Sequence, residues 1–197
     1  MAPKRITRAL VCALVLSLLA GCAGQAAPPA PGSNTPGTVT ITFDFERQSG
    51  YSSNQYAVWI GTQDETVVKT LFATKFTAEG GWEKRPSSLS DWVSRAVRTG
   101  ITDPDAVAGA TPKSGPQAYV WDCTDESGNA VPPGTYKFFI EFTYRVGQGS
   151  TAGRISWGEI EIGGADAIAQ VHEIPAGEPP ATNMITNVKA NYQEATK

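Results

Sequence analysis

The sequence predicts a mainly β protein, an antiparallel β-sandwich carrying one inserted α-helix at about 88–98. Two observations carry that reading. Apolar and polar residues alternate with a period of two over several short runs, the mark of strands with one buried face. Gly, Pro, Asn and Asp clusters separate the runs, as turns require. A third observation supplies the helix: in a single segment the apolar period changes to that of a helical face.

The runs follow in order. Val39, Ile41, Phe43 and Phe45 alternate with Thr40, Thr42 and Asp44, which predicts a half-buried strand. Residues 56–60, Tyr-Ala-Val-Trp-Ile, are apolar throughout and read as a central strand. Residues 66–73 form a third, joined to the second through a hairpin at 61–65. Leu89, Trp92, Val93, Ala96 and Val97 then fall at i, i+3, i+4, i+7 and i+8, one face of a helix. Ser88 and Asp91 have the spacing of a capping box, and Gly100 supplies the stop. Trp92 is read as core.

Strands resume at 119–122. Tyr136, Phe138, Ile140, Phe142 and Tyr144 alternate over nine residues, with Lys137, Glu141 and Arg145 on the wetter face. Residues 155–162 make another strand whose parity slips near Gly158, which implies a bulge. In 184–192, Val188, Ala190 and Tyr192 alternate with Lys189 and Asn191, an edge strand that closes the sheet. The domain is expected to span 38–192, with 193–197 as a tail; some 155 residues suffice for one core.

The N-terminus has its own logic. Lys4, Arg5 and Arg8 precede an apolar run at 9–19, and Leu19-Ala20-Gly21-Cys22 follows. A basic start, a short apolar stretch and small residues describe a secretory signal peptide, here 1–21. The run is too short for a spanning helix, which needs roughly 20 residues. Leu-Ala-Gly-Cys resembles a bacterial lipobox. The resemblance implies cleavage before Cys22 and acylation there, palmitate included, with the chain held on the extracytoplasmic face of the cell membrane. More than one acyl chain makes such an anchor stable. Residues 22–37 are rich in Ala, Pro and Gly and read as a flexible tether.

Charge and cysteine usage exclude several functions. Cleavage at Cys22 removes three of the 16 basic residues and none of the 19 acidic ones, which takes the formal charge from −3 to −6. Nucleic acid calls for clustered Lys and Arg, so no nucleic-acid partner is expected. With Cys22 lipidated, Cys123 has no disulfide partner and reads as a small buried residue in a strand. One His, His172, and one free Cys cannot make a structural zinc site; no metal is expected.

The tract 121–136, Trp-Asp-Cys-Thr-Asp-Glu-Ser-Gly-Asn-Ala-Val-Pro-Pro-Gly-Thr-Tyr, predicts a turn at 125–128 with Gly128 at positive φ. Trp121 and Tyr136 are expected to face each other as cross-strand aromatics. The tract resembles the immunoglobulin-like repeat of flagellar hook-capping proteins. With Ser53 to Ile60, Val68 to Leu71, Phe76 to Trp82, Arg85 to Leu89 and Asp105 to Pro112, the whole of 38–192 resembles an uncharacterised bacterial exported family, domain of unknown function 2271. That resemblance implies an immunoglobulin-like sandwich and brings no established activity with it.

Asp105-Ala106-Val107-Ala108-Gly109-Ala110-Thr111 resembles the acceptor motif of exported flavoproteins, in which a transferase joins FMN to a Thr hydroxyl through a phosphoester. The resemblance would make Thr111 the FMN attachment site, with Asp105, Gly109 and Ala110 as its motif. Ala108 departs from the Ser or Thr of the pattern, and Pro112 stiffens the chain after it.

The sequence therefore predicts a membrane-anchored extracytoplasmic lipoprotein with a non-catalytic binding or accessory domain, linked to a membrane or flavin-based redox partner. Trp82, in the loop 80–82, is the expected contact residue. A redox carrier with FMN on Thr111 is the alternative. A hydrolase using Glu79, Glu83, Ser87 and Asp91 is the second, and it would need those carboxylates paired in space.

Overall fold

A computed structural model describes residues 36–49, 52–146, 151–165, 167–176 and 184–195. Among the described residues ten strands form two sheets: β1 (Gly37–Phe45), β2 (Ser52–Gly61), β3 (Val67–Thr74), β4 (Ala108–Gly109), β5 (Gly115–Trp121), β6 (Gly134–Val146), β7 (Thr151–Ile162), β8 (Ala167–Ile168), β9 (Gln170–Ala176) and β10 (Ile185–Glu194). The smaller sheet runs β5-β1-β10-β8 and the larger β4-β3-β2-β6-β7-β9. Every pairing is antiparallel except β3 with the two-residue β4. The fold is a β-sandwich.

Parity sets the main core. Val39, Ile41, Phe43 and Phe45 of β1, Tyr56, Val58 and Ile60 of β2, and Phe138, Ile140 and Phe142 of β6 pack together between the sheets. The threonines of β1 lie on the half-exposed face. Trp121 and Tyr136 meet edge-on at 5.3 Å. Their strands belong to different sheets, so the contact crosses the sandwich instead of lying along a strand pair.

The second face of the larger sheet is also covered, which the strand pattern does not announce. Helical turns at 77–84 (α1, kinked at Gly80), at 90–97 (α2) and at Pro104–Val107 (α3) lie in the connection between β3 and β5. Leu89, Trp92, Val93 and Ala96 pack there on Ala57, Trp59 and Phe139. The expected helix at 88–98 is thus present but shorter, and the turns at 77–84 and 104–107 add to it. Gly100 ends it at φ +72.

This third layer corrects three expectations. Glu141 is 3 % exposed, not on a wet face, because α2 sits over it. No bulge occurs at Gly158; β7 stays in unbroken register with β6 from Thr151 to Ile162. The apparent slip arises because Ile155 and Trp157 face the helical layer while Ile160 and Ile162 face the other sheet. Nor does Ser88 cap α2: Leu89 occupies the capping position with φ +48 and no side-chain cap. Farther along, Cys123 is buried as expected but sits in a bend beyond β5, at φ +54. Finally, β10 is flanked by β1 and by short β8, so it is not the sheet's outermost strand.

Candidate functional site

Register brings four rings into one row on the helix-side face of the larger sheet. Trp59 of β2 pairs with Phe139 of β6, Phe139 with Trp157 of β7, and Trp157 with His172 of β9. Trp59 and Phe139 stack with centroids 5.1 Å apart and planes 11° apart. His172 stacks on Trp157 at 4.5 Å. Over this floor stand Asp91 and Arg95 from α2 and Glu65 from the β2–β3 hairpin. Between floor and wall lies a cavity of about 250 Å³.

The wall is charged and tied together. Arg95 contacts the Glu65 carboxylate at 2.8 Å and lies 3.9 Å from Asp91. Lys137 reaches Glu65 at 3.6 Å and lies 5.2 Å over the Trp157 ring, a cation–π distance. Among the described residues no hydrogen bond reaches the Asp91 carboxylate, whose near charge is Arg95.

Two of the four tryptophans packed in this part of the fold leave their indole donors unpartnered among the described residues. The indole N–H of Trp92 donates to the Thr70 hydroxyl at 3.1 Å, and that of Trp121 to the Thr124 carbonyl at 2.8 Å. The Nε1 atoms of Trp59 and Trp157 are buried and have no acceptor among the described residues. An unmade hydrogen bond at a buried donor costs roughly 1–3 kcal/mol, a cost that the packing of this face has to offset.

Glu141 braces the wall from below. Its two carboxylate oxygens accept from the backbone N–H groups of Asp91 (3.3 Å) and Trp92 (2.9 Å). A side chain from the sheet thereby does the work of a helix cap, and it fixes where Asp91 stands. Full burial pushes the Glu141 carboxyl up to about 8, against the opposing pull of those two N–H donors.

The residues singled out from sequence lie elsewhere. Asp103 caps α3 by accepting from the N–H of Asp105, which is exposed. Gly109 lies in β4, where an added Cβ would sit 2.2 Å from the Phe72 ring. Ala110 is exposed, and the half-buried Thr111 donates to the Asn54 carbonyl at 3.3 Å. Asn54 is five residues along β2 from Trp59, so the flavin-acceptor segment and the cavity are separate places. Trp82 is half-buried against the helical layer, with the Arg98 guanidinium 5.0 Å over its ring. Glu79 pairs with Lys75 and Asp91 with Arg95, while Glu83 and Ser87 are exposed. Cys22 lies outside the described residues.

Sequence reasoning did not find Glu65, Arg95, Phe139 or Trp157. One signal was available: Phe139 is aromatic at the parity otherwise taken as wet, between Lys137 and Glu141.

Residues 37–159 match the model of a family described as predicted periplasmic protein (DUF2271). The chain belongs to the DUF2271 family. No curated protein and no solved structure matches it. The DUF2271 description makes this an extracytoplasmic protein, and no helix among the described residues is long and apolar enough to cross a membrane. The DUF2271 match contains every residue that lines the cavity; His172, which stacks on Trp157, lies beyond it. Strands β8, β9 and β10 lie beyond it.

Proposed function

We propose that this DUF2271 protein is a lipid-anchored extracytoplasmic binding module, held by Cys22 and the tether 22–37, with the cavity over Trp59, Phe139 and Trp157 as its ligand seat. It acts as an accessory to a membrane partner and does no chemistry of its own. The observation that supports this is the cavity of about 250 Å³ itself, whose wall is already braced by ion pairs and by Glu141. Such convergence of aromatic surface with a few fixed polar groups is the ordinary form of a small-molecule site. The anchor is tested by fractionating cells that express the native chain or Cys22→Ser, with intact mass of each. The native protein is expected in the membrane fraction with an acyl mass increment, and the variant in the aqueous fraction. A variant that stays on the membrane overturns the anchor.

A second reading rests on Thr111. Its hydroxyl is half-exposed and held by one 3.3 Å hydrogen bond, at the end of a segment that resembles a flavin-acceptor motif. In this reading the protein carries FMN on Thr111 and the flavin performs the electron transfer. Peptide mass mapping of protein from its own cells separates the two: an FMN increment on the Thr111 peptide makes it a redox carrier, and a bare peptide leaves the binding module.

A further inference from the structure

We infer that the outer face of the smaller sheet is where two copies of this chain meet, in a two-fold dimer that sets Lys189 of each copy against Asp44 of the other. This face lies on the other side of the sandwich from the cavity, and the dimer does not depend on a ligand there.

Strand parity creates the face. Val39, Ile41, Phe43 and Phe45 pack in the core, so Thr40, Thr42 and Asp44 of β1 point outward and are half-exposed. Register sets Val120 and Ala118 of β5 beside Thr40 and Thr42 on one side, and Asn191 and Lys189 of β10 beside them on the other. Ile168 of β8 pairs next to Asn191 and is 80 % exposed, the one exposed large hydrophobic residue among those described. The helical layer packs on the larger sheet. The outward positions of the smaller sheet stay half-exposed or exposed.

Charge selects the occupant. The chain is acidic, with a formal charge of −3, so two copies repel each other in most approaches. This face is formally neutral: among its described residues Asp44 is the acid and Lys189 the base. Depletion of charge marks the core of an interface. The two charges also suit self-recognition. Asn187 donates to the Asp44 carboxylate at 2.7 Å and fixes it. Lys189 makes no ion pair among the described residues. Both residues line one open groove of about 550 Å³. A two-fold contact uses the same patch twice, so a lysine and an aspartate on that patch make two equal pairs across the axis. A lipid surface would find neither a basic cluster nor an aromatic belt on this face.

Shape and area agree. Thr, Ala and Val are short, so a second sheet can approach to about 10 Å, the ordinary spacing of stacked sheets. Strands β5, β1 and β10, about 4.8 Å apart and nine residues long at about 3.3 Å each, present roughly 430 Å² per copy and roughly 860 Å² for two. That is the range of weak, transient association.

The test is crosslinking in cells that express the full chain. Thr40→Cys, near the middle of the face, and Ser94→Cys, exposed on α2 across the molecule, are each treated with a flexible bismaleimide. Cys123 is buried and does not compete, and the native chain sets the background. Thr40→Cys is expected to give a product of twice the chain mass, and Ser94→Cys none above background. Lys189→Glu in the Thr40→Cys chain sets like charges opposite each other and is expected to lower the yield about tenfold. Adding Asp44→Lys exchanges the two signs and is expected to restore it. That rescue separates pairing from loss of fold, and circular dichroism checks each variant. The dimer is overturned by no product at Thr40→Cys, by an equal product at Ser94→Cys, or by a yield that ignores Lys189→Glu or is not restored by the exchange. A product of another mass at Thr40→Cys means that a different protein covers the face, and overturns the dimer as well.

Discussion

Glu141 and Trp92 are joined through the backbone: the carboxylate of a sheet residue accepts the N–H of a helical residue at 2.9 Å, where a local side-chain cap was expected. The relationship ties the helical layer to the sheet and makes the layer's position depend on one buried acid.

That acid makes stability pH-dependent with a defined sign. The Glu141 carboxyl is raised from its ordinary 4.5 to about 8 by burial. Below the lower value both folded and unfolded chains hold the proton. Between the two values the folded chain keeps a proton that the unfolded chain has lost, so stability falls as pH rises. The slope is at most about 1.4 kcal/mol per pH unit. Urea midpoints are expected to drop between pH 5 and pH 8, and Glu141→Gln, neutral in both states, is expected to flatten the drop.

Cys123 should be inert in the folded protein. It is fully buried, and burial, with the Asp122 charge beside it, pushes its thiol up to about 12. Only the thiolate reacts. Maleimide labelling at pH 7.5 is expected to be negligible under native conditions and complete in denaturant. Rapid native labelling would show that the bend at Cys123 opens.

Gly109 answers to packing, whatever modifies Thr111. A methyl group at this position would press on the Phe72 ring, which itself packs on Tyr56 and Tyr119. Gly109→Ala is expected to destabilise the domain by about 1–3 kcal/mol, the usual cost of overpacking. Thermal unfolding measures it, and an unchanged midpoint would mean that Phe72 moves aside freely.

Strand β10 is required although it lies beyond the family match. It pairs with β1 from Gly37 to Phe45 and buries Ile185 and Tyr192, with Met184 buried just before it. Each such side chain contributes roughly 1.5–3 kcal/mol when buried, against a total stability of about 5–15 kcal/mol. A chain ending at residue 162 is expected to be insoluble or unfolded by circular dichroism; a cooperative transition in that fragment would refute the requirement.

The sequence by itself determined the strands of the main core, the turn at Asp125 to Gly128, the helical stop at Gly100 and the burial of Trp92. These are local: a period of two, or a residue tolerant of positive φ, is written in neighbouring positions. Tertiary structure alone decided the burial of Glu141, the continuous register through Gly158, and the meeting of Trp59, Phe139, Trp157, Asp91 and Arg95 around one cavity. Periodicity tells which residues share a face of a strand, not what covers that face. The 90–97 segment covers it here, some 50 residues away in sequence from the acid that holds it, and no local pattern encodes a contact over that distance.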